Sequence, residues 1–187
     1  QLGNGGTSDA NTPTPTSSLG IGRTAVAISS GFTHTCAILD DGSVSCWGEG
    51  GTGRLGTGSS NTNEFSPTPT STLGTGRTAV AISSGRAHTC AILDDGSVSC
   101  WGDGGDGQLG NGGTSDKTTP TPTSSLGTGR PAVAISSGYA STCALLDDGS
   151  VSCWGKGNRG QLGIQTNDDI STPNPTNSLG TGRTAVA

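Results

Sequence analysis

The chain has 187 residues, of which 28% are hydrophobic, 3% are aromatic and 34 are glycine. Glycine costs about 1 kcal/mol relative to alanine inside a helix, so this composition disfavours a helical domain and points to short strands joined by many turns. The formal charge is −5 and the nine Lys and Arg residues are scattered singly, which leaves no basic stripe for phosphates and sets nucleic acid aside as a partner.

No apolar run approaches the ~20 residues of a membrane-spanning helix, and no charged start followed by an apolar stretch resembles a signal peptide. Membrane insertion is therefore not expected. The absence of methionine marks the chain as a processed or trimmed piece of a longer product.

In chain order, QLGNGGTSD and a Thr-Pro tract at Thr12–Thr16 lead into GRTAVAISSG at 22–31, a strand candidate. TCAIL and SVSCW then flank Asp40-Asp41-Gly42, and a glycine loop from Gly48 runs to a second Thr-Pro tract at Ser66–Thr70. The whole series returns at a period of 53 to 54 residues, with cysteines at 36, 90 and 143 and tryptophans at 47, 101 and 154. Residues 1–27 are the trailing half of a unit, 28–81, 82–134 and 135–187 are complete units, and GRTAVA at 182–187 opens a further strand.

Asp-Asp-Gly suits a three-residue hairpin loop, a type I turn closed by a glycine bulge. Counting outward pairs Ile38 with Val44, Ala37 with Ser45 and Cys36 with Cys46, the last at a non-hydrogen-bonded site where alpha carbons approach to about 4.5 Å. That spacing allows a disulfide. The same count pairs Cys90 with Cys100 and Cys143 with Cys153, which uses all six cysteines. Zinc is the rival reading, but its cysteines usually stand about two to four residues apart in one loop; reduced core cysteines are the other. Paired cysteines over a thin core place the chain in an oxidising compartment, extracellular or at a cell surface.

Strand alternation puts Cys36, Ile38, Val44 and Cys46 on one face and Ala37, Leu39, Ser45 and Trp47 on the other. A sheet apolar on both faces must be covered on both, which radially stacked blades provide. Trp47, Trp101 and Trp154 then fill the gap from each blade to the next. The Thr-Pro tracts, which recur at Thr119–Thr123 and Thr172–Thr176, are extended, poor in donors and expected at outer edges, where they are also able to carry O-linked sugar.

The order AISSG, HTCAILDDGSVSCWG, GQLGNG and a proline tract resembles the repeat of the regulator of chromosome condensation family, in particular secreted bacterial relatives with paired cysteines. The likeness runs over essentially the whole chain, with Arg54 in place of the usual glutamine. It implies an all-β fold, a β-propeller of roughly seven four-stranded blades, of which this chain supplies three and a half units. The family's functions are diverse, including nucleotide exchange, light sensing through tryptophans and inhibition of secreted β-lactamases, and fold alone does not choose among them.

No enzyme is expected, and no cofactor or metal. His34 and His88 precede their hairpins as rim histidines with no partner base, and the third unit has Ser141 there. The paired aspartates are what such turns require. The glycine loops lack the following helix that a phosphate loop needs. Against near-identical scaffolds the copies differ at Phe32, Arg86 and Tyr139 after ISSG, and at Glu49, Asp103 and Lys156 after CWG. These loop positions are the candidate binding residues. Two functions follow: a recognition module that binds a protein or glycan through blade-end loops, or a structural protein whose blades neighbouring chains complete, as a homo-oligomer or filament.

Overall fold

The computed structural model describes residues 2–179 and 183–186. The strands form three antiparallel sheets of four in chain order, and the unit boundaries at 27/28, 81/82 and 134/135 fall inside the first strand of each. The first holds β1 (Ala25–Ser30), β2 (His34–Leu39), β3 (Val44–Gly48) and β4 (Glu64–Pro69). The second holds β5 (Ala79–Ser84), β6 (His88–Leu93), β7 (Val98–Gly102) and β8 (Lys117–Pro122), and the third β9 (Ala132–Ser137), β10 (Ser141–Leu146), β11 (Val151–Gly155) and β12 (Ile170–Pro175). Among the described residues the sole helix is a single 3-10 turn, Gly51–Gly53. β1, β5 and β9 run side by side at the inner edges, while β4, β8 and β12 form the outer ones. Three blades of a partial propeller result.

The hairpins keep the expected register, with Ile38 opposite Val44, Ala37 opposite Ser45 and Cys36 opposite Cys46. Gly42 supplies the positive φ of 76° that closes the turn. Asp41 Oδ1 accepts the Ser43 N–H at 3.0 Å and its hydroxyl at 2.6 Å, so this aspartate is a turn former. Those bonds hold its carboxyl below the ordinary carboxylate range. Arg23 and Arg77 add exposed ion pairs to Asp41 and Asp95 at 2.8 Å. Pairs so exposed contribute little.

Three of the four Thr-Pro tracts lie on outer-edge strands; Thr12–Thr16 forms none, since no described hairpin stands beside it to pair with. Of the further strand expected at 182–187, Gly182 and Ala187 lie outside the described residues, and 183–186 carry no strand.

The Cys-bearing faces of the first two blades are covered by the blade that follows, as the alternation requires, while Cys143, Leu145 and Val151 of the third are only half-buried. Cys36, Ile38, Val44 and Cys46 of the first blade meet Ala91, Leu93 and Trp101 of the second, with Leu55 from the glycine loop in the same cluster. Cys90, Ile92, Val98 and Cys100 meet Ala144, Leu146 and Trp154 in the same way. Trp101 and Trp154 therefore fill the gap to the preceding blade, not to the following one: the Trp-bearing faces of the second and third sheets meet the Cys-bearing face of the sheet before, and Trp47 meets Gly3 of the leading segment. Each indole is capped by a glycine of that earlier unit, and a Cβ on Gly56 would stand 2.8 Å from Trp101 Nε1. Because Gly56 also has φ of +70°, Gly56→Ala combines overpacking with left-handed strain. A loss of about 2–3 kcal/mol, read by urea unfolding, is the expected outcome.

The histidines depart from expectation. His34 and His88 are 1% and 0% exposed, locked between blades and not on a rim. His34 Nε2 lies 2.8 Å from Thr89 Oγ1 of the next blade, and that hydroxyl donates to the Arg54 carbonyl at 3.1 Å. His88, Thr142 and Gln108 repeat the relay at 3.0 and 3.0 Å. With the threonine proton committed to a carbonyl, Nε2 must donate and Nδ1 must be the bare nitrogen. Both Nδ1 atoms lack a partner.

Candidate recognition site

The turns between β1 and β2, β5 and β6, and β9 and β10 stack upon one another. A Cβ on Gly31 would fall 2.4 Å from the Gly85 carbonyl oxygen, and one on Gly85 would fall 2.5 Å from that of Gly138. Only glycine allows so close an approach, and the residue after it turns outward. Phe32 and Tyr139 are consequently 76% and 67% exposed, and Arg86 is exposed between them. The Phe32 N–H reaches the Gly85 carbonyl at 3.4 Å, and the Arg86 guanidinium carbon stands 4.7 Å from the Tyr139 ring centre. Three successive blades thus contribute one row.

The loops after CWG share this end of the blades, since Glu49, Asp103 and Lys156 donate their backbone N–H groups to Thr33, Ala87 and Ala140 at 2.8, 2.9 and 2.9 Å. Their side chains are engaged within the framework. Glu49 accepts from Arg54 at 3.2 Å, Asp103 Oδ1 accepts the Gly105 N–H at 3.0 Å, and Lys156 pairs with Asp106 at 2.9 Å. All six candidates therefore face one end, with the inner three exposed and in no ion pair among the described residues, and the outer three already tied to neighbours.

Arg54, the departure from glutamine, explains part of this. It is 8% exposed. Its Nε donates to Gly51 O at 2.8 Å and its Nη1 to Thr33 Oγ1 at 2.7 Å, so it braces the loop that carries Phe32. Gln108, its counterpart, instead accepts the Asp106 N–H at 2.8 Å. Arg159 also belongs to this end, lining a depression with Tyr139 and Lys156. Its position beside Lys156 in the third glycine loop, where the second unit has Gly105-Asp106, was the available signal.

The cysteine pairs lie beneath, with alpha carbons 4.1 Å apart in all three blades and their sulfurs at disulfide distance. Such pairs fit an oxidising environment. No helix among the described residues is long and apolar enough to cross a membrane.

A profile of the regulator of chromosome condensation (RCC1) repeat matches residues 41–92, 95–145 and 148–186, and a second profile of the same repeat matches 25–54, 79–108 and 132–161. The chain belongs to the RCC1 repeat family. Among its relatives are the human E3 ubiquitin-protein ligase HERC2 and the ultraviolet-B receptor UVR8 of Arabidopsis thaliana, each 36% identical over 152 residues. Those alignments take in 81% of this chain but only 3% and 34% of the two relatives. Among solved structures, Prp20p of Saccharomyces cerevisiae superposes with a TM-score of 0.73 at 18% identity, over 84% of this chain and 39% of that one. Human WBSCR16 gives 0.72 at 21%, over 81% and 40%. At these identities the structures establish the RCC1 propeller fold and nothing finer.

Proposed function

We propose that these RCC1 repeats form a non-enzymatic recognition module, acting outside the cell or at its surface, that binds a protein through the row Phe32, Arg86 and Tyr139. The single observation that carries this reading is that three otherwise near-identical blades turn different large side chains outward at one equivalent position. Scaffold glycines hold that row in place, so little ordering is lost on binding. The two histidines, the residues most suited to acid–base work, serve as neutral donors between blades. A protein partner is also in keeping with Prp20p, whose binding to Gsp1p and histones accompanies its structure.

We read 1–27 as a trailing half repeat and the 28–81, 82–134 and 135–187 units as repeats of one propeller domain, with Glu49, Asp103 and Lys156 as a supporting outer row. The test is a binding screen against purified secreted proteins and glycans, followed by Phe32→Ala/Arg86→Ala/Tyr139→Ala. With roughly 1–2 kcal/mol at each of three interface anchors, the triple variant should lose at least about a hundredfold in affinity. Unchanged affinity would sink the reading. Self-association at rising concentration, seen by light scattering, would instead favour the structural role in which neighbouring chains complete the blades.

A further inference from the structure

We propose that the Arg86–Tyr139 pair is a carboxylate site and that the partner brings an acidic peptide segment to it; this rests on the recognition face described above. A guanidinium laid over an aromatic ring keeps its edge N–H groups free, in the planar fork that suits a carboxylate. Stacking on Tyr139 at 4.7 Å orders Arg86 before any ligand arrives. Among the described residues Arg86 forms no ion pair, whereas Arg23, Arg54, Arg77, Arg130 and Lys156 all do.

The acids nearby face elsewhere. Asp103 meets the Arg86 loop through its backbone, donating to Ala87 O at 2.9 Å, yet its carboxylate turns back to the Gly105 N–H. Asp106 holds Lys156, and Glu49 holds Arg54. Arg159 lines a depression of about 550 Å³ with Tyr139, Lys156 and Asn158, but its counterpart Asp106 reaches forward to Lys156 of the following blade, so it is no part of the site. The floor of that depression includes Ser141 and Gln161, and the equivalent His88 and Gln108 are buried under the following blade. Arg86, ordered on the Tyr139 ring, carries the inference, not the depression. On a chain of net charge −5, an acidic segment is repelled over most of the surface and attracted here, so the charge pattern selects both ligand and place.

Tyr139 is the sole tyrosine, which gives the site its own reporter. With ring-labelled tyrosine, hexaglutamate titrated into the protein should shift the Tyr139 signals saturably, and less so at 0.5 M salt. Arg86→Gln should weaken that binding about tenfold, the worth of roughly one charged hydrogen bond. Arg77→Gln, at the opposite end of the blade, should leave it unchanged, and hexalysine should leave the ring unmoved. No saturable shift, equal affinity in Arg86→Gln, or an equal response to hexalysine overturns the carboxylate site. If hexaglutamate fails while the triple alanine variant still loses its protein partner, the recognition face stands and the acidic ligand falls.

Discussion

Replacing Cys90 and Cys100 together by alanine is expected to lower the free energy of unfolding by about 3 kcal/mol, the chain-entropy value for freeing a loop of this length. The middle blade is the informative one because it is covered on both sides. Cys90 and Cys100 are both 0% exposed and pack with Ile92, Val98 and Trp154. Against a total of roughly 5–15 kcal/mol for a typical domain, one pair is a large share. The cause lies in the composition: with 28% hydrophobic residues, each blade has little apolar surface to bury beyond its own hairpin. Urea unfolding followed by tryptophan fluorescence checks it, and a loss below about 1 kcal/mol would show that packing alone holds the hairpin.

Acid should loosen the blades well above the range where aspartates titrate. Burial lowers His34 to about 3, helped by the Arg54 and His88 charges, and lowers His88 to about 4 despite the Asp103 carboxylate, which acts the other way. A histidine free in the unfolded chain titrates near 6.5, so below that pH the unfolded state takes up protons that the folded state refuses. Stability is thus fully present above about pH 6.5 and falls by up to about 1.4 kcal/mol per pH unit for each histidine, until the folded values are reached. At pH 5 the two together should cost about 4 kcal/mol. The structural reason is the bare Nδ1, which would become a buried N–H with no acceptor. His34→Gln/His88→Gln should flatten the slope between pH 6.5 and pH 4.5, as measured by urea midpoints. A double variant with the wild-type slope would remove the histidines as the cause.

Much of the fold was legible because the hairpin constrains itself. The spacing of ten between cysteines, the Asp-Asp-Gly turn and strand alternation fixed the register of Cys36 with Cys46 and the two apolar faces. The burial of His34 was also written there, since it shares parity with Cys36 and Ile38; its polarity suggested a rim. What the pattern does not contain is the identity of the neighbour. Thr89 and Thr142 accept from histidines one blade earlier, and the side on which each Trp packs depends on how blades stack, not on the order of residues in one. The candidate site was half legible for a similar reason. Differences among copies marked Phe32, Arg86 and Tyr139, whereas the capture of Glu49 by Arg54 and of Lys156 by Asp106 depends on side-chain reach.

Hydrogen exchange of the chain alone and with a protein partner from the screen tests the central claim most directly. Protection on binding is predicted at the inner turns, residues 31–33, 85–87 and 138–140. Protection centred instead on the Asp-Asp-Gly turns at 40–42, 94–96 and 147–149, or on the outer-edge strands, would contradict it.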